Sequence, residues 1–269
     1  MTPPKGPPAG LIVVGALLRA LRLRYGRHTP AELSVLGYPE ADLDAIEAGA
    51  KAIAVETAKA HADMYGVPQG PLREALVTLA EKSSWQPASL VDDQPGWSDR
   101  LLALATTAQS ARVHVQHLPA SLATVDALLA SMHRPTPLPL IAAEWPLQST
   151  TWLLPSTIIE NLCAVPGVDQ RRLVADQLRH LHQLVATEQA DVRLVDTPLP
   201  PRTRVVADAR IGGQAVCVRQ QEHNAHYASG YHATWERDLL AAVYTKASSR
   251  EHTLSVLASG ADALSTEDS

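Results

Sequence analysis

VVGALLRALRLRYGRHTPAELSVLGYPEADLDAIEAGAKAIAVETAKAHADMYGV, spanning Val13–Val67, decides how the rest of the chain is divided. Its spacing predicts four short helices: Val13–Gly26, Thr29–Gly37, Pro39–Gly49 and Val55–Tyr65. In the first, Leu17, Leu18, Leu21 and Tyr25 recur at helical spacing, while Arg19, Arg22 and Arg24 take other faces. Thr29 before Pro30, with Glu32 three residues on, has the form of a capping box with proline at the first helical position. The third helix turns Leu43 and Ile46 inward and stops at Gly49, a left-handed terminator. Two short helices joined by a few residues containing glycine have the geometry of a helix-turn-helix.

Outward from that stretch, residues 1–10 are proline-rich and expected to be disordered. Pro68-Gln69-Gly70-Pro71 breaks the chain before a fifth helix over 72–82, striped by Leu72, Leu76 and Leu79. Residues 83–96 are linker-like in composition. Trp97–Val115 then reads as a helix with Leu101, Leu104, Ala105 and Ala108 inward, and the prolines of 133–146 predict an extended loop. Thr151–Leu154 is a predicted strand, and Thr157 with Glu160 has capping-box spacing at the start of a helix. Val174, Leu178, Leu181 and Val185 stripe a helix over 169–187, followed by a strand over 192–195. The runs 204–209 and 214–219 flank Gly212-Gly213, a hairpin signal. Trp235, Leu239 and Val243 mark another helix, Leu254 and Leu257 a last one, and the polar tail from Gly260 is expected to fray. The expected fold is mostly α. A helix-turn-helix bundle of five helices (11–82) is followed by a linker (83–96), an α+β domain with a small antiparallel sheet (97–260) and a flexible tail (261–269).

A chain of 269 residues that is 46% hydrophobic can bury one or two sizeable cores. A net charge of −5 gives no whole-chain basic field for nucleic acid. Two isolated cysteines, Cys163 and Cys217, argue against a disulfide framework. No run approaches the ~18 apolar residues of a membrane span, and Leu11–Leu18 lacks the flanks of a signal peptide. The expected location is cytoplasmic.

Leu17-Leu18-Arg19-Ala20-Leu21-Arg22, Thr29-Pro30-Ala31-Glu32-Leu33-Ser34, Ile46-Glu47-Ala48-Gly49 and Tyr65-Gly66-Val67 resemble the DNA-binding domain of the phage-repressor (Cro/cI, xenobiotic-response-element) class. The remaining chain is similar to the large C-terminal domain of actinobacterial antitoxin-like members of that class. Pro119, Leu122 and Thr124 fit the pattern of that domain, whereas Ala120, Ser121 and Ala123 depart from it. The resemblance implies a recognition helix at 39–48 and DNA contacts from Arg19, Arg24, Arg27, Thr29, Tyr38, Glu40 and Lys51. It also implies a structural ion pair of Arg22 with Glu47. Pro30 stands where relatives carry a DNA-contacting glutamine. The recognition helix is degenerate in another respect: Glu40, Asp42, Asp44 and Glu47 lie on it with no Arg, Lys, Asn or Gln to read a base. Val13–Val67 holds six basic and seven acidic residues, a net charge of −1.

Elsewhere the chain lacks a Walker loop, GxGxxG, GxSxG, HExxH and paired CxxC motifs, so no cofactor or metal is expected. His180 and His182, two apart on a helix, point to different sides. His114 and His117 have i,i+3 spacing where a helix should be ending. The densest cluster is Glu222-His223-Asn224-Ala225-His226-Tyr227, followed by Tyr231, His232, Trp235 and Glu236. If 222–227 is helical, His223 and His226 share a face, and with Glu222 or Glu236 they would hold a metal or form an acid–base pair; in an enzyme His223, His226, Tyr231 and Glu222 would be the catalytic set. In the other reading, Tyr231 and Trp235 anchor the last helices and the histidines are exposed.

The leading expectation is a homodimeric helix-turn-helix transcriptional regulator. Its partners would be DNA and, at the C-terminal domain, a small-molecule ligand or a small partner protein. The alternative is a repurposed, non-DNA-binding member whose C-terminal domain binds or converts a small metabolite by cyclisation or acid–base chemistry. A third is a protein–protein adaptor that docks through its acidic helix.

Overall fold

The computed structural model describes residues 7–26, 40–84, 88–127, 140–141, 145–164 and 168–266. Contact density divides the chain into two units, one of Met1–Ser110 with Ala207–Arg237, the other of Ala111–Val206 with Asp238–Ser269.

The first unit is organised around α1 (Ala9–Leu21), a helix buried along almost its whole length from Ala9 to Leu18 and again at Leu21. Pro8 precedes it and accepts from Leu11 N at 3.0 Å, while Ser229 Oγ donates to Pro7 O at 2.8 Å. Residues 7–10, expected to be disordered, are therefore ordered because they lead a helix that is apolar from Ala9 to Leu18 into the core. After Leu21 the backbone widens into one π-helical turn, Arg22–Gly26. The predicted helix 29–37 lies outside the described residues.

Next come α2 (Glu40–Glu47), α3 (Val55–Met64) and α4 (Pro71–Ser84). Gly49 ends α2 at φ +69°, and Gly66 follows α3 at φ +70°. Around each glycine, amide-to-carbonyl bonds (Ala50 N to Ala45 O, Val67 N to Ala62 O) satisfy the helix terminus. The residues expected to be a linker instead hold a strand, β1 (Ser89–Asp92), followed by α5 (Trp97–Thr106). Asp92 and Arg100 lock these two together. Nη2 meets Oδ1 at 2.6 Å and Nε meets Oδ2 at 2.7 Å, with both side chains buried.

The chain returns to this unit after Ala207 through β7 (Thr203–Ile211), β8 (Gln214–Gln221) and β9 (Ala225–Ala228). Gly212 and Gly213 close the β7–β8 hairpin at φ +56° and +80°, the conformation a two-residue turn needs. β9 is antiparallel to both β8 (Cys217 opposite Ala228) and β1 (Leu90 opposite Tyr227). α1 packs on α2, α4, α5 and this sheet.

In the second unit, β2 (Ser110–Val115), β5 (Thr150–Pro155) and β6 (Asp191–Val195) run parallel, with Val113 opposite Trp152 and Trp152 opposite Val192. Around them lie α6 (Ser156–Cys163), α7 (Val168–Ala186), α8 (Thr234–Thr245) and α9 (Arg250–Thr266). Leu153, Val195, Leu199, Val206, Leu240 and Val243 form one core cluster. Leu118–Pro119 (β3) and Leu140–Ile141 (β4) make a separate two-stranded pair.

The sheet order is β1-β9-β8-β7-β2-β5-β6. This corrects the expected small antiparallel sheet: it has seven strands and is mixed. Parallel strands buried on both faces lose the alternation that marks a half-exposed strand, which is why Ser110–Val115 passed for the end of a helix. Two further expectations fail locally. Pro155 precedes α6 with no side-chain cap, so the Thr157–Glu160 spacing is not a capping box. α9 continues to Thr266 with Ala261 and Leu264 buried, so the chain past Gly260 is held by its apolar stripe. Among the described residues no helix is long and apolar enough to cross a membrane.

Candidate functional site

Three places carry chemistry. The first is the pairing of α1 with α2. Gly15 brings the backbones into contact: a Cβ there would stand 2.2 Å from Ile46 O and 2.9 Å from Glu47 O. Two turns on, Arg22 reaches across to Glu47 through Nε–Oε1 at 2.6 Å and Nη2–Oε2 at 2.7 Å, with both side chains buried. The carboxylate, opposed by the burial of the guanidinium, raises the Arg22 pKa further above its ordinary value. A bidentate pair of this kind fixes the angle of two helices. The Arg22–Glu47 pair is therefore structural, as the resemblance implied.

The candidate DNA contacts fare unevenly. Arg24 is exposed, its guanidinium 5.3 Å from the Tyr25 ring centre, and Arg19 is half-buried. Lys51 is exposed, but its Nζ lies 2.7 Å from Asp42 Oδ1, so its charge is partly answered within the protein. Asp44 is exposed beside it in sequence. Arg27, Thr29 and Tyr38 lie outside the described residues, and Glu40 begins α2. The far end of α2 is covered. A Cβ at Gly212 of the hairpin would meet Ala48 Cα at 2.4 Å.

The second place is the 222–236 cluster. Residues 225–228 are strand β9, so His223 and His226 do not share a helical face. Glu222, His223, Tyr231 and His232 are exposed, Tyr231 by 79%. His226 is half-buried, with Nε2 2.7 Å from Ser89 Oγ and Nδ1 3.7 Å from Glu236 Oε1. The order serine–histidine–carboxylate is that of a nucleophilic relay, but Arg219 Nη2 also stands 3.5 Å from Nδ1, so the carboxylate and the guanidinium compete for the same ring nitrogen. Burial would raise the Glu236 pKa, but His226, the glutamate's own backbone amide and Arg219 together hold it below the ordinary carboxylate value. Trp235 lies 5.1 Å from the Arg219 guanidinium. The arrangement clamps the edge strand β1 to β9 and to the start of α8.

The remaining histidines are scattered. His180 and His182 are half-buried on α7, while His114 is on β2 rather than a helix end, fully buried, with its pKa lowered to about 4, chiefly by burial. Among the described residues no three His, Cys, Asp or Glu side chains converge to hold a metal.

The third place is one that sequence reasoning missed. In the second unit, a cavity of about 610 Å³ opens at the carboxyl ends of β5 and β6. Open sheets bind ligands at the carboxyl ends of their parallel strands. Ile159, Cys163, Leu194, Val256 and Gly260 supply an apolar lining, and Ser156, Glu160, Asp196, Lys246, Ser248 and His252 the polar groups. Ser156 Oγ donates to Asp196 Oδ1 at 2.7 Å, and burial raises the Cys163 thiol. The lining comes from four separate segments of chain, so no local motif announces it. The sequence signal that could have found it is the apolar run Trp152–Leu154 followed directly by Pro155-Ser156 and a helix.

Compared with known proteins, the chain matches no family model, no curated protein and no solved structure.

Proposed function

We propose that this protein is a helix-turn-helix transcriptional regulator whose second unit senses a small molecule. The observation that carries the reading is the buried Arg22–Glu47 pair seated where α1 and α2 touch at Gly15. It keeps the two helices at a fixed angle, which a recognition helix requires if its first turn is to enter the major groove. Arg24 and the adjoining basic residues of the first helix supply the phosphate contacts, and the cavity beside β5 and β6 receives the ligand. The protein acts as a homodimer on half-sites about one helical turn, ~34 Å, apart.

A second reading has an observation of its own. The exposed groups of α2 are acidic, Lys51 is engaged by Asp42, and the hairpin turn covers Ala48. These favour a member that has stopped reading DNA and keeps the helices as scaffold.

Fluorescence anisotropy of the full chain with its own-promoter duplex and a nonspecific duplex separates the two. The regulator reading expects preference for the promoter, with affinity falling roughly 150-fold between about 50 and 200 mM salt for four phosphate contacts. Absence of binding at the lower salt overturns it in favour of the second reading.

A further inference from the structure

We infer that the cavity at the carboxyl ends of β5 and β6 binds a zwitterionic, aliphatic small molecule of about dipeptide size. Its ammonium faces Glu160 and Asp196, and its carboxylate faces Lys246 and His252. The inference rests on the ligand-sensing half of the proposed function and says what the ligand is.

The charges are sorted by element. Glu160 lies on α6 and Asp196 just past β6, while Lys246 lies between α8 and α9 and His252 on α9. Among the described residues neither Glu160 nor Lys246 has an ion-pair partner. Asp196 is oriented by the Ser156 hydroxyl at 2.7 Å, which favours one geometry for a donor arriving from the cavity. Between them the floor is apolar: Ile159 and Leu194 are buried, and Cys163, its thiol raised by burial, adds no charge.

That pattern discriminates among ligand classes. Two carboxylates at the rim oppose a phosphate or nucleotide, which would need several cations or a helix N-terminus free of acids. A purely apolar ligand would leave Glu160 and Lys246 facing the site unanswered. A volume of about 610 Å³ falls within the range of sites that enclose small organic ligands, about 300–1,000 Å³, and it exceeds what a single amino acid fills.

Calorimetric titration of the full chain with leucyl-leucine, its N-acetylated form and its C-terminal amide tests the assignment. The dipeptide is expected to bind, and each blocked form to bind about ten-fold more weakly, the loss of one charge-assisted contact. Asp196→Asn combined with Glu160→Gln should abolish the discrimination against the N-acetylated form. Lys246→Gln should abolish that against the amide. All three substituted side chains are exposed, so thermal unfolding should be unchanged. Absence of heat with leucyl-leucine, equal binding of all three forms, or discrimination that survives these substitutions would overturn the inference. Duplex titrations on the same samples keep the two ideas apart. Promoter binding without dipeptide binding sinks only the ligand assignment. Dipeptide binding without DNA binding sinks only the regulator reading.

Discussion

Replacing a glycine inside a helix by alanine ordinarily stabilises a protein by about 1 kcal/mol, because alanine loses less backbone freedom on folding. Gly15→Ala is expected to reverse that sign. The new methyl would stand 2.2 Å from Ile46 O, 2.9 Å from Glu47 O and 3.0 Å from Gly49 N. All three are backbone atoms, so no side chain can rotate away. A carbon rests about 3.3–3.6 Å from a carbonyl oxygen, so α1 and the end of α2 must part by about 1 Å. Overpacking of this kind costs about 1–3 kcal/mol, and the parting also stretches the Arg22–Glu47 bonds at 2.6 and 2.7 Å. After the propensity gain, a net loss of about 2 kcal/mol remains. Urea unfolding measures it as a lower midpoint at constant slope. Ala20→Gly, half-buried on the same helix, calibrates the propensity term and should lose about 1 kcal/mol. If Gly15→Ala equals or exceeds the parent in stability while Ala20→Gly shows its ordinary loss, the close approach of α1 and α2 is refuted.

Two further outcomes follow from buried charge. Glu47→Ala removes the carboxylate that pairs with the buried Arg22 guanidinium and should cost about 3–4 kcal/mol, while Arg22→Met with Glu47→Leu should recover most of it. A double variant as unstable as Glu47→Ala alone would contradict the assignment. His114 is held neutral by burial, with its pKa lowered from 6.5 to about 4 despite a backbone acceptor at Thr197. The unfolded chain therefore takes up this proton first as the pH falls. The group's contribution to stability is whole above pH 6.5, declines between about 6.5 and 4, and is lost below, amounting to about 3 kcal/mol. An NMR titration placing the His114 midpoint near its ordinary value would remove the basis for that slope.

The helices at 55–64, 71–84 and 168–186 and the Gly212–Gly213 hairpin were legible because their cues are local: periodic leucines, a proline at the first turn, a glycine pair. What escaped was non-local. Ser110–Val115 becomes a strand by pairing with distant parts of the chain, Thr150–Leu153 among them, and nothing between Thr106 and Ser110 breaks a helix. Ser89–Asp92, in a stretch of linker-like composition, becomes a strand by pairing with β9, and Arg100 supplies the charge that lets Asp92 be buried. Gly260 looked like a stop, but its missing side chain admits Leu178 and Cys163, since a Cβ there would lie 3.1 and 3.2 Å from them. The 222–236 cluster held real contacts, though they run from His226 to Ser89 and Glu236 and not along one helix. The cavity was invisible because its walls are scattered along the chain.

The hairpin turn seated on Ala48 has a consequence for how the chain is made. Its first unit needs both Met1–Ser110 and Ala207–Arg237, so the N-terminal helices emerge from the ribosome without β8 and β9, on which α1 packs. At roughly 5–20 residues per second, translating residues 111–206 takes roughly 5–20 s. Through that interval the leucine-rich surface of α1 waits for a cover that has not been synthesised. A nascent chain that stalls within 111–206 would carry its N-terminal helices in an incomplete state, and synthesis of the first stretch of the second unit, Ala111–Val206, becomes a condition for finishing the first unit.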